Sequence, residues 1–164
     1  MLEENFSYTA IHTANVLSAL NFQFELLDDQ EDEWIFLGRF RTEIGPIRLI
    51  LAVEKDESRW SLFAYHPLVV VQSLRKTATE FCMQCNQELI IGNLELNLTD
   101  GSLRYRQGLS FLGRSLTEVE IKEYINIALG TLTQYHVALI RILFDGIGIE
   151  EALQESKSEH SESF

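Results

Sequence analysis

Cysteine, proline and positive charge are all scarce in this chain. Its 164 residues hold two cysteines, two prolines, and 13 Lys+Arg against 25 Asp+Glu, for a net charge of −12. Two cysteines cannot build a disulfide framework. The shortage of cations disfavours a nucleic-acid binder, whose affinity comes from neutralised phosphates, and a docking partner of anionic lipid. No apolar run reaches the roughly 18 residues of a membrane span. The closest, Val137 to Phe144, is short and contains Arg141. The start, Met-Leu-Glu-Glu-Asn, is acidic where an export signal needs a basic region, so a cytosolic protein is expected. A hydrophobic content of 46% with little Gly and Pro is that of a globular chain. One domain over residues 1–153 is expected. The Ser/Glu-rich stretch 154–164 has little to bury and is expected to be a disordered acidic tail.

Catalytic signatures are missing as well. There is no G-x-S-x-G, P-loop or G-x-G-x-x-G, and no two of His12, His66, His136 and His160 have a metal-ligand spacing. Gly146-Ile147-Gly148 follows a helical pattern rather than opening one, so it reads as helix termination. Cys82 and Cys85 form a lone C-x-x-C inside a helical stretch, which reads as two small apolar residues rather than a redox dithiol at a helix N-terminus or half of a zinc site. The acidic run around Asp28 to Glu33 lacks the ligand ladder of a calcium loop and reads as a solvated turn. Glu54 and Glu95 stand at alternate, outward strand positions and form no general acid/base pair. The residues thus offer no catalytic, cofactor-binding or metal site, and no cofactor is expected.

What is present is periodicity. Phe6 to Leu20 has helix spacing, with Ser7 or Thr9 as cap; Phe22 to Leu27 alternates as a short strand. Trp34–Arg41, Ile47–Glu54 and Arg59–His66 alternate as three strands joined by short turns, and Pro67 is expected to end the third. Leu68 or Val71 to about Ile90 steps by three and four as a second helix, and Ile149 to Leu153 can add one helical turn. Asp100-Gly101 between Asn93–Leu98 and Leu103–Phe111 marks a hairpin. Arg104 and Arg106, flanking Tyr105, suggest cross-strand pairs with Glu95 or Asn97 rather than a nucleic-acid surface. Thr117 with Glu120 is a capping box opening a helix of about 28 residues, roughly 42 Å long. That exceeds a compact domain of this size, and Val137 to Phe144 is apolar on two faces. Leu132, Tyr135, His136, Leu139 and Leu143 are therefore expected to form a dimer or partner surface. The order is α-βββ-α-ββ-α, an antiparallel α+β class.

That order resembles the type III secretion chaperone-like fold, and within it the chain resembles the YbjN family, bacterial proteins described as sensory transduction regulators. The residues that carry the resemblance are Cys85-Asn86, Gly92 to Leu96, Asp100 to Arg106, Leu116-Thr117, and the ending Leu143 to Ala152. It covers roughly residues 5 to 153. The resemblance implies a non-enzymatic cytosolic protein, a homodimer, that binds other proteins, and it supplies no catalytic residue. Beside it stands a different class. The aromatic density of the three-strand meander would allow a small-molecule pocket or small enzyme site lined by Trp34, Trp60, Tyr65 or His66.

Overall fold

The computed structural model describes residues 8–27, 32–56, 59–110, 114 and 116–161, the side chains of 8, 9 and 157–161 excepted. Four helices and a six-stranded antiparallel sheet make an α+β fold. Helix α1 (Tyr8–Ala19) leads into β1 (Phe24–Leu27), β2 (Glu33–Thr42), β3 (Gly45–Glu54) and β4 (Arg59–Val69). A 3-10 turn (Gln72–Leu74) opens α2 (Arg75–Asn86); then come β5 (Asn93–Leu96), β6 (Ser102–Ser110), α3 (Glu118–Ile140), a π turn (Arg141–Asp145) and α4 (Ile149–Ser161). The spatial order is β1-β2-β3-β4-β6-β5.

Alternation in each strand divides the sheet into two faces. Trp34 and Phe36, Leu49, Leu51 and Val53, Trp60, Leu62 and Ala64, and Leu103 and Tyr105 all point to one side and are buried there. α3 lies across this side. Its residues Ile121, Ile125, Ala128, Leu132, Tyr135 and Leu139 are buried along its whole length. α2 closes the end of the same layer, with Phe81 edge-on to Tyr135. The other face of the sheet has no helix on it among the described residues.

Local signals explain the boundaries. α1 ends in a Schellman arrangement: Asn21 takes a left-handed φ of 56°, its N–H bonds the Ser18 carbonyl, and the Phe22 N–H bonds Leu17. The caps expected at Ser7 or Thr9 and most of the acidic turn at Asp28 to Glu33 fall outside the described residues. The Thr117–Glu120 capping box forms as expected. In the β5–β6 hairpin, Gly101 is buried at φ 78°, and a β-carbon there would lie 2.0 Å from the Val70 carbonyl oxygen.

Three expectations are corrected. Pro67 does not end β4, which runs on to Val69; the register shifts between Tyr65 and Val69, and the missing N–H falls at that irregularity, beyond the last β3 pair at Tyr65. Residues Gln154–Ser161 are not a disordered tail, since they continue α4, and the last three residues of the expected tail lie outside the described residues. Ala152, Leu153 and Ser156, at helical spacing, are buried, and Arg141 pairs with Glu155. The long helix gains its cover from this element, so its length does not leave it projecting. Glu118–Asp145 is apolar and long enough to cross a membrane by composition, but its apolar side is packed on the sheet and on α4.

Candidate functional site

The expected partner stripe is core. Leu132, Tyr135, Leu139 and Leu143 are 1%, 5%, 1% and 7% exposed, because the sheet, α2 and α4 cover α3 from several sides. Helical periodicity reports an apolar side but not how many neighbours share it. Of that stretch only Val137 and Phe144 remain exposed. The fifth residue, His136, meets His66. Their rings stack with centroids 5.1 Å apart, and His66 Nε2 lies 3.0 Å from His136 Nδ1. The Leu68 N–H donates to His66 Nδ1, which leaves the His66 proton on Nε2, facing its partner. Burial, and then the neighbouring His136, push the His66 pKa down to about 4. Burial lowers His136 as well, against the pull of Glu43. This is a neutral pair, His66 buried and His136 half-buried, holding α3 to the end of β4.

The four residues expected to line a pocket do not share one. Trp34 and Trp60 are buried in the core, Trp60 packing against the Tyr124 ring at 5.9 Å. Tyr65 lies one residue out of phase with Trp60 and His66 in β4 and therefore faces the opposite side. Cys82 is buried and its thiol is pushed up to about 12 by that burial, so it is no thiolate at neutral pH. No group of three or more His, Cys, Asp or Glu with metal-binding geometry occurs among the described residues.

Tyr65 belongs instead to the uncovered face. Strand register aligns Arg39, Arg48, Tyr65, Arg104 and Glu95 in one row across β2, β3, β4, β6 and β5. Two residues along, Leu37, Ile50, Phe63 and Arg106 form the next row. Arg48 sits over the Tyr65 ring at 4.2 Å and Arg104 over Phe63 at 4.8 Å. Arg104 donates from Nε to Glu95 at 2.9 Å and from Nη1 to the Tyr65 hydroxyl at 3.1 Å. Arg106 reaches the other Glu95 oxygen at 3.3 Å. Burial raises the Glu95 carboxyl, but its hydrogen bonds from Arg104, Asn93 and Arg106 outweigh that and hold it below the ordinary carboxylate value. The cross-strand pairing expected for these arginines is thus present. A polar cleft of about 320 Å³ opens beside the first row, bounded by Arg48, Tyr65, Arg104, Glu95, Asp100 and Ser102. Alternation alone would have separated Tyr65 from Trp60, but the row needs four strand registers, one of them the non-sequential β4–β6 pairing, that a single sequence does not display.

Comparison with known proteins places the fold in context. No curated protein matches the chain. Among solved structures, the one described as "Crystal structure of YbjN, a putative transcription regulator from E. coli" is 12% identical, has a TM-score of 0.43, and covers 76% of this chain and 85% of that one. The family model described as "Putative bacterial sensory transduction regulator" matches residues 14–141. That match runs from the middle of α1 to the start of the π turn, and the chain belongs to the YbjN family.

Proposed function

We propose that the protein is a non-enzymatic, chaperone-like regulator of the bacterial cytosol that works by binding another protein on the uncovered face of its sheet. The observation that carries this reading is the face itself. Ile35, Leu37, Ile50 and Phe63 stand half-buried on it, and no described element covers them, although the Arg104 and Arg106 side chains lie over the Phe63 ring. A sheet face that is apolar in its middle and open is a surface awaiting cover. The family's description as a regulator agrees with a role in binding rather than turnover. A homodimer belongs to the same reading, with exposed Val137 of α3 and Phe144 of the π turn in place of the buried stripe.

Affinity capture from bacterial cytosol, with wild type beside an Ile50→Glu/Phe63→Glu variant, tests the face. A discrete protein retained by wild type and lost from the variant is expected. Equal capture by both, or a small molecule with no protein, overturns the reading. Light scattering after gel filtration tests the dimer, and a monomer mass independent of concentration contradicts it.

A further inference from the structure

Arg39 and Arg48 are directly opposed on neighbouring strands, where like charges repel. Among the described residues neither has an ion-pair partner. The contrast is with Arg104, whose Nε, Nη1 and Nη2 are committed to Glu95 and Tyr65. Glu95 also takes up Arg106, so one carboxylate already serves two guanidinium groups and has none to spare for the others. Arg48 sits over the Tyr65 ring, which orders the guanidinium without using its donors. Two aligned arginines with free forks, one pre-positioned by an aromatic ring, form a binding element for carboxylates or other flat anions. A rule of cross-strand pairing broken without local compensation is where function is expected.

We propose that this arginine pair recognises the partner, and that the partner presents a protein segment in which carboxylates stand beside apolar side chains. The inference rests on the reading of the open face as a protein-binding surface and adds what the surface selects. The second row supplies the argument for the apolar half: Leu37, Ile50 and Phe63 lie about 7 Å from the arginine row, two residues along each strand. A nucleic-acid backbone would use the arginines but leave that apolar row uncovered. The open-face strand positions hold six arginines (Arg39, Arg41, Arg48, Arg59, Arg104, Arg106) against four glutamates (Glu25, Glu33, Glu54, Glu95), and Arg59, Arg104 and Arg106 are already paired with Glu54 and Glu95, so the attraction for an acidic segment is local to the Arg39, Arg41 and Arg48 end of the face.

The probe is a short fluorescein-labelled peptide of alternating Glu and Leu, followed by fluorescence anisotropy at low salt against the full chain. A peptide of alternating Lys and Leu and a labelled single-stranded oligonucleotide serve as controls. Binding of the Glu peptide alone is expected, weakened about tenfold or more in Arg39→Gln/Arg48→Gln. Arg39→Gln by itself is expected to melt no lower than wild type, since it relieves repulsion and breaks no pair. Equal affinity of wild type and double variant, preference for the Lys peptide, or oligonucleotide binding that depends on the two arginines overturns the proposal. If capture of a protein partner is lost in Ile50→Glu/Phe63→Glu but kept in the arginine variant, the selectivity inference fails while the open-face reading stands.

Discussion

Asn86 shows how much a single side chain can close. Its amide donates to the Leu94 carbonyl at 2.9 Å and its carbonyl accepts from the Leu94 N–H at 2.7 Å, so it acts as a one-residue strand at the free edge of β5. Asn86→Asp keeps the acceptor but turns the donor into a second acceptor against a carbonyl. It should destabilise by about 1–3 kcal/mol in chemical denaturation at neutral pH, and by less when acid protonates the carboxyl. The sequence displays Asn86 beside Cys85, yet its task depends on a strand eight residues later and is not legible there. His66 makes the second residue-scale prediction. Its folded pKa of about 4 lies below the ordinary 6.5, so the unfolded chain takes up the proton first. The stability it contributes is fully present above pH 6.5 and is lost as pH falls towards 4, on the order of 3 kcal/mol over that window. His66→Gln removes the titration, and melting from pH 7 to 4 should show a flatter decline than wild type.

At the scale of elements, the α3 capping box was readable because its residues are three apart. The Thr117 hydroxyl accepts from the Glu120 N–H at 3.2 Å, and the Glu120 carboxylate accepts from the Thr117 N–H at 2.8 Å. Arg114, and then the Thr117 backbone, hold Glu120 down to about 2. Thr117→Ala should cost about 1 kcal/mol in thermal or urea unfolding, mostly by loosening the first turn of α3. The hairpin at Gly101 was equally legible from Asp-Gly, and Gly101→Ala should cost more than about 2 kcal/mol, since both the left-handed φ and the Val70 carbonyl forbid a side chain. The strands were legible because one face of each is buried, so alternation survives in the residues themselves. α4 was not. Its Ser, Glu and Lys content outweighs Ala152 and Leu153 in any composition, and only the packing of those two on α3 makes the helix. The same blindness made Leu132 to Leu143 look like a free surface, because cover by a second helix leaves no mark on the first.

On the scale of the whole molecule, a charge of −12 conceals a sheet face rich in arginine. Among the described residues helices cover the sheet on one side only, and the uncovered side combines an apolar centre with a row in which Arg39 and Arg48 have no ion-pair partner. Such a division suits a protein that is kept in solution by its acids and binds through one face. The most direct measurement is methyl-resolved NMR of the labelled protein with its captured partner. The account predicts that the Ile35, Leu37 and Ile50 methyls shift or broaden on binding while Val137 of α3 stays in place. Perturbation confined to Val137 and the residues of α4, with the three open-face methyls unchanged, would contradict it.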